Sequence, residues 1–143
     1  MAKKTEKLFS GSRLLICTDG GARGNPGPAA LGVVVGDSEY SEYVGEMTNN
    51  QAEYRAVIFA LKKAKALLGG KKAGETEVEV RMDSELIVKQ LNGEYKIKEH
   101  DLQPLFIQVW NLRLDFKKVE FKHIPREHNK RADRLVNQAL DKN

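Results

Sequence analysis

The sequence places four acidic residues where a predicted strand or helix meets a turn. They are Asp19 in C-T-D-G-G-A-R-G-N-P-G-P, Glu53 in T-N-N-Q-A-E, Asp83 in V-R-M-D-S-E and Asp133 in P-R-E-H-N-K-R-A-D. No lysine or arginine stands at an obvious spacing to neutralise them. If folding brings the four together, their repulsion requires a countercharge, and magnesium or manganese prefers oxygen ligands of this kind. The pattern therefore predicts a metal site, provided that the acids converge.

Helical and strand positions favour that convergence. Asp19 and Asp83 end predicted strands, and in crossover folds the carboxyl ends of strands gather at one edge of the sheet. Glu53 begins the apolar stripe of a predicted helix, and Asp133 lies at the inner edge of another, where a carboxylate is costly to bury without a neutralising partner. The ordinary alternative is that Glu53 and Asp133 interact with helix dipoles while the other two acids cap turns.

The elements that must position these acids follow from hydrophobic periodicity. Predicted strands cover residues 13–19, 29–36, 39–47, 76–82 and 118–124. Predicted helices run from a cap at Asn49 or Asn50 to Gly69-Gly70, over 84–91, from a cap at Asp101 to Leu112 with Trp110 in the core, and over 129–142. Three antiparallel strands followed by β-α-β crossovers predict an α/β fold with a five-stranded mixed sheet and helices packed on it.

Composition sets the broad class. The 143 residues fit one domain, and 41% hydrophobic with 31% charged residues is typical of a soluble globular protein. We expect residues 1–12 to form a flexible basic segment, residues 13–143 to form the domain, and the single Cys17 to indicate a reducing, cytoplasmic setting without membrane segments. The net charge of +4 suits either a solvated surface or the handling of a phosphodiester backbone.

The four motifs, in this order and spacing, resemble type 1 ribonuclease H over roughly residues 13–142. The resemblance implies a ribonuclease H-like fold with helices on both faces of the sheet. It also implies endonucleolytic cleavage of the RNA strand of RNA–DNA hybrids, which leaves 5′-phosphate and 3′-hydroxyl ends. Asp19, Glu53, Asp83 and Asp133 match the metal-binding carboxylates of the family. Two magnesium ions about 4 Å apart would activate water and stabilise the leaving oxygen, and manganese would substitute for magnesium.

The resemblance also implies contacts to the substrate. Asn25 and Asn50 match positions that contact the minor groove of the hybrid, where short amides sense the ribose 2′-hydroxyl. Thr48 and Asn49 resemble a pocket for a phosphate of the DNA strand. Further substrate-binding positions are Gly20, Ser84 and Asn129. These segments would also serve as a tight turn and a helix cap without any function.

One histidine is expected to assist proton transfer or product release, as family members often use a mobile histidine before the last helix. His123 matches by its ten-residue spacing from Asp133, whereas His128 matches by its place in the predicted loop. His123 also continues the alternation of the preceding strand, so a half-buried structural histidine is the alternative.

Two departures from the family pattern matter. Gly93–Asp101 is short, which is typical of the compact form without a basic protrusion, and Glu85 stands where many relatives have a glutamine that contacts nucleic acid. We expect a monomer whose partner is a hybrid duplex and which has no obligate protein partner. The alternatives are a catalytically silent nucleic-acid-binding module, which would have lost an acid, and activity on double-stranded RNA or in DNA strand transfer.

Overall fold

The computed structural model describes residues 9–10 and 13–143. This part of the chain forms six strands and five α-helices. The strands are β1 (Phe9–Ser10), β2 (Arg13–Ala22), β3 (Gly27–Val35), β4 (Ser38–Met47), β5 (Glu77–Met82) and β6 (Lys118–His123). The helices are α1 (Asn49–Leu68), α2 (Gly70–Gly74), α3 (Glu85–Leu91), α4 (Gln103–Leu112) and α5 (Lys130–Asp141), with 3-10 turns at Arg113–Asp115 and Arg126–His128.

The strands form one mixed sheet in the order β4-β3-β2-β5-β6. β2, β3 and β4 pair antiparallel, whereas β2 pairs parallel with β5, and β5 with β6. The predicted five-stranded sheet with three antiparallel strands first is therefore confirmed. The two-residue β1, which pairs antiparallel with the start of β2, was not predicted because two residues carry no periodicity. The rest of the predicted basic segment 1–12 lies outside the described residues.

Alternation along β3 explains why helices pack on both faces of the sheet. Leu31, Val33 and Val35 point into the main core, which α1 covers. Ala30 points to the other face and packs against α5. A Cβ atom on Gly32 would lie 2.2 Å from the carbonyl oxygen of Ala132, so only glycine allows α5 to approach this closely. The helix that carries Asp133 is thereby held directly against the sheet.

The N-cap of α1 lies one residue before the first predicted cap, Asn49. Thr48 is its N-cap: the Thr48 side chain accepts a hydrogen bond from the Gln51 N–H, and the Gln51 side chain accepts one from the Thr48 N–H. This Thr-x-x-Gln capping box satisfies two backbone donors reciprocally and leaves both asparagine side chains free for other partners. The predicted stop is confirmed, since α1 ends at Leu68, but the short α2 follows it and was not predicted.

α4 corrects two predictions. It begins after Leu102 without a side-chain cap, so Asp101 does not have the predicted role. Trp110 is 45% exposed rather than buried, because Leu105 and Val109 form the inward face of the helix. The Trp110 ring stacks on Phe106, with the guanidinium carbon of Arg113 3.5 Å from its centroid. In the described part of the chain, no helix is both long and apolar enough to span a membrane.

Candidate active site

Three carboxylates meet at the edge of the sheet where β2 and β5 direct their carboxyl ends. The ladder between these strands stops at the pair Cys17 and Arg81, so Asp19 and Asp83 lie just beyond it. Glu53 reaches the same point from the first turn of α1. Ligand oxygens of Asp19, Glu53 and Asp83 all lie within 4.8 Å of one another. β2 itself continues to Ala22, which corrects the predicted end of this strand at Asp19.

The approach of Glu53 depends on Gly20. A Cβ atom at position 20 would lie 2.3 Å from the carbonyl carbon of Ala52 and 2.5 Å from the Glu53 nitrogen. Without that atom, α1 packs close enough for the Gly20 N–H to donate a 3.3 Å hydrogen bond to Oε1 of Glu53. The structure therefore gives Gly20 a packing role that is independent of any substrate contact.

Asp133 lies at the rim of the cluster. It belongs to the first turn of α5 and lines the same cleft as the other three acids. Its side chain is 37% exposed, and Nη2 of Arg126 lies 3.9 Å from its Oδ1 atom. The negative charge of Asp133 contributes to raising the pKa of Asp19. The structure thus places three acids together and the fourth close beside them.

Burial and mutual repulsion raise the pKa values of the three clustered carboxylates. Burial, followed by the negative charge of Asp83, raises the pKa of Asp19 to about 7. Burial, followed by the charge of Asp19, raises the pKa of Glu53 well above its ordinary value. Burial also raises the pKa of Asp83, although the positive charge of Arg126 opposes the shift. At neutral pH the cluster therefore favours a cation that replaces these protons.

The donor set fits a hard divalent cation. All candidate ligands are carboxylate oxygens, which suit magnesium and manganese better than zinc. Among the described side chains, Oε2 of Glu53 is one of the few buried polar atoms without a hydrogen-bond partner. A buried carboxylate oxygen without a donor is costly, and a bound cation would remove that cost. Asp19, Glu53 and Asp83 would hold the metal, with Asp133 at the rim.

The cluster opens into a cleft of about 490 Å³ whose walls include several predicted substrate-binding residues. Gly20, Asn49, Asn50 and Ser84 line it. Asn49 also ties the glycine-rich loop to α1, because its Oδ1 accepts a 2.7 Å hydrogen bond from the Ala22 N–H. The Asn49 N–H in turn donates to Oδ1 of Asn25, at 3.1 Å. Asn49 therefore both lines the cleft and holds the glycine-rich loop against the start of α1.

The fold and cleft agree with comparisons to known proteins. A family model described as "Reverse transcriptase-like" matches residues 17–139. The Ribonuclease H of Dechloromonas aromatica is 31% identical over 144 residues, which cover 88% of this chain and 92% of that protein. The Ribonuclease HI of Halobacterium salinarum is 41% identical, over 92% of this chain and 66% of that protein. The chain belongs to the type 1 ribonuclease H family.

Solved ribonuclease H structures extend the agreement. LC11-RNase H1, crystallised in complex with an RNA/DNA hybrid, is 51% identical with a TM-score of 0.84, over 90% of this chain and 96% of that one. RNase H1 from Halobacterium salinarum gives a TM-score of 0.82 at 41% identity, over 92% and 99% of the two chains. The chain spans only 36% of the length of its mycobacterial relatives, such as the "Bifunctional protein Rv2228c" of Mycobacterium tuberculosis, at 41% identity over 90% of this chain.

One residue predicted to bind substrate in this ribonuclease H, Asn129, has a structural contact. Asn129 is only 2% exposed, and its Nδ2 donates a 2.9 Å hydrogen bond to the carbonyl oxygen of Thr18. It anchors the start of α5 to β2 and is absent from the described lining of the cleft. Thr48, the N-cap of α1, and Asn25, whose Oδ1 accepts the Asn49 N–H, are likewise not among the described lining residues.

The histidines predicted for this ribonuclease H site are both exposed. His123 ends β6 beside Met82. Because its side chain is exposed, the alternative of a half-buried structural histidine is wrong. Burial raises the pKa of Asp83, and a positive charge on His123 is one of the smaller influences that oppose this rise. His128 lies in the 3-10 turn before α5. Neither is among the described residues that line the cleft, and a role for His123 stays a prediction.

Two positively charged lining residues were not predicted from the sequence. Arg23 follows β2, and Arg126 opens the 3-10 turn before α5. Both belong to the quoted ribonuclease H motifs. Arg126 approaches Asp133, whereas Arg23 pairs with Asp141 at the end of α5. Arg23 is the cation closest in sequence to Asp19, but three basic residues lie nearer to Asp133 than Arg126 does, so no sequence signal singles out Arg126.

Proposed function

We propose that this protein is an endonuclease that hydrolyses the RNA strand of RNA–DNA hybrids and leaves 5′-phosphate and 3′-hydroxyl ends. One observation carries the proposal. Asp19, Glu53 and Asp83 bring their carboxylates within 4.8 Å at the base of an open cleft. The same fold, at 51% identity, belongs to a ribonuclease H1 that was crystallised with an RNA/DNA hybrid.

The proposed cofactor is a pair of Mg²⁺ ions, for which Mn²⁺ substitutes. Asp19, Glu53, Asp83 and Asp133 would hold them, since these acids supply oxygen ligands on one side of the cleft. When bound, such ions lower the pKa of water and stabilise charge on the leaving oxygen of a phosphodiester. The chain itself has to keep four carboxylates ionised and close together. Gly20, which holds Glu53 in place, and Arg126, which offsets the charge on Asp83, serve that need.

Recognition of the RNA strand is assigned to the amides of the cleft. Asn50 is half-buried beside Glu53 and lines the cleft, where its side chain can both donate to and accept from a ribose 2′-hydroxyl. Asn49 and Asn25 fix the loop opposite, and Thr48 and Ser84 cap the two helices that flank the cleft. The hydroxyl that distinguishes RNA from DNA thus has suitable partners.

His123 is the proposed proton-transfer residue. It is exposed at the end of β6, and its charge acts on Asp83 from outside the cluster. A group in this position can exchange protons with water while the carboxylates stay bound to metal. His123→Ala should lower the rate constant of cleavage, whereas His128→Ala should leave it unchanged; the reverse pattern would assign the role to His128.

A cleavage panel tests the proposal. End-labelled RNA–DNA, RNA–RNA and DNA–DNA duplexes of one sequence are incubated with Mg²⁺, Mn²⁺ or chelator, and the ends of the products are mapped. Cleavage of only the RNA strand of the hybrid, with metal, is expected. Equal cleavage of the RNA–RNA duplex would contradict the proposed specificity for hybrids. Binding of the hybrid without any cleavage would favour a catalytically silent nucleic-acid-binding module.

We also propose that the protein acts in the cytoplasm as a monomer without an obligate protein partner. Purified protein should cleave the hybrid without additions other than metal. Light scattering after size-exclusion chromatography should give the mass of one chain. A dimer whose dissociation abolishes cleavage would contradict this part of the proposal.

A further inference from the structure

Arg23 is the one cation of the described cleft lining that stands away from the carboxylate cluster. The other lining cation, Arg126, lies beside Asp133 and acts on Asp83. Arg23 lies four residues beyond Asp19, just after β2, which puts their Cα atoms about 13 Å apart at the rise of a strand. Its guanidinium pairs with Asp141 and not with a carboxylate of the cluster.

The backbone of Arg23 is held rigidly. The Arg23 N–H donates a 2.8 Å hydrogen bond to the carbonyl oxygen of Pro28, which closes the loop between β2 and β3. Gly27 lies so close that a Cβ atom on it would meet the Arg23 carbonyl oxygen at 2.3 Å. Gly24, with φ of 106°, supplies the left-handed turn between them. Asn49 fixes the neighbouring residue, Ala22.

The side chain of Arg23 is held as well. Its Nη2 lies 2.6 Å from Oδ1 of Asp141, at the C-terminal end of α5. A guanidinium has five donors, so this contact orients the group and leaves most of its N–H groups available. Half of the Arg23 side chain is exposed, and so is most of Asp141. The loop and α5 together present an oriented, accessible guanidinium at the cleft wall.

We infer that Arg23 binds a backbone phosphate of the hybrid away from the cleavage point and that Asp141 is its positioning residue. The inference rests on the proposed function, since it names a contact to the same substrate. Arginine matches the paired oxygens of a phosphate, and a contact with no role in the reaction itself changes affinity rather than turnover. Arg23 thus sets where the duplex lies along the cleft.

The test compares Arg23→Gln with Arg134→Gln. Arg134 is another exposed arginine, which lies on α5 and pairs with Glu39 of β4. Both variants lose one positive charge. For Arg23→Gln we expect KM for the hybrid to rise about fivefold with kcat within about twofold. The slope of log affinity against log salt concentration should fall by about one, as for the loss of one phosphate contact. Arg134→Gln should change neither quantity.

Two further variants separate charge from orientation. Arg23→Lys keeps the charge, so it should keep the salt slope but raise KM, because an ammonium lacks the planar fork. Asp141→Asn should raise KM with an unchanged salt slope. Equal effects of Arg23→Gln and Arg134→Gln, or no effect of Arg23→Gln, would overturn the inference.

Hybrid affinity measured by fluorescence anisotropy in chelator keeps the inference separate from the proposed function. If the wild type binds the hybrid but does not cleave it, the proposed function fails while the contact of Arg23 is still measured. If the wild type cleaves the hybrid and Arg23→Gln binds it equally well, only the inference fails.

Discussion

Asp19→Asn should stabilise the metal-free protein while it abolishes cleavage. Asp19 is 8% exposed and lies among other carboxylates, so its ionised form is unfavourable in the folded state. Asparagine has nearly the same shape without the charge, and its amide can donate to Glu53. Removing the Asp19 charge also makes ionisation of Glu53 less costly, because that charge is one cause of the raised pKa of Glu53.

The magnitude follows from the shift of the pKa. The folded state binds the Asp19 proton with a pKa of about 7, whereas the unfolded chain binds it with a pKa of about 3.9. Between these values the folded state holds more protons, so the free energy of unfolding falls as the pH rises. The cost of the charge is at most about 1.5 kcal/mol at pH 5 and about 4 kcal/mol at pH 8. Asp19→Asn should recover this amount.

Urea unfolding followed by circular dichroism in chelator, at pH 5 and pH 8, measures the difference. Asp101→Asn, a change of an exposed aspartate before α4, is the control and should alter the free energy of unfolding by less than about 0.5 kcal/mol at both values. Added Mg²⁺ should stabilise the wild type more than Asp19→Asn, since ligand binding stabilises only the state that binds it. A variant that is less stable than the wild type at pH 8, or a gain that is the same at both values, would refute the reasoning.

Two packing predictions accompany this one. Gly20→Ala should cost about 1–3 kcal/mol of unfolding free energy, because the new Cβ would lie 2.3 Å from the backbone of Ala52. Gly70→Ala, whose Cβ would meet nothing within 4 Å, should cost nothing, and equal losses in the two variants would contradict this packing role. Asn129→Ala should cost about 1–3 kcal/mol, because it leaves the buried Thr18 carbonyl without its donor. Asn137→Ala, at an exposed position, is its matched control, and both are measured by urea unfolding.

Much of the fold could be predicted because the sequence is locally consistent. Strand alternation, the long apolar stripe of α1 and the glycine stops all agree with the sheet that forms. The convergence of Asp19, Glu53 and Asp83 followed from helical phase and from the rule that parallel strands end at one edge. The capping box of Thr48 was overlooked, although its Thr-x-x-Gln pattern is visible in the sequence.

Other features depended on contacts that no local pattern contains. Trp110 follows Val109 directly in α4, and only the packing of that helix decides which of the two side chains is buried. Asn129 was predicted only as a substrate-binding position, and its bond to Thr18 depends on how α5 packs against β2. The pair of Arg23 and Asp141 joins residues 118 positions apart in the chain. Sequence reasoning finds single residues of this kind but not their partners.

The most direct test of the central claim is the rate of RNA-strand cleavage by Asp83→Asn and wild-type protein in Mg²⁺, with hybrid affinity measured in parallel. Asp83 lies in the carboxylate cluster at the end of β5, and its change to asparagine neutralises one proposed ligand while Asp19 and Glu53 stay in place. We predict that the variant binds the hybrid about as tightly as the wild type but that its cleavage nearly disappears. Chelator should abolish wild-type cleavage. Wild-type turnover by Asp83→Asn, or hybrid cleavage that persists in chelator, would contradict the claim that this cluster holds the metal for the reaction.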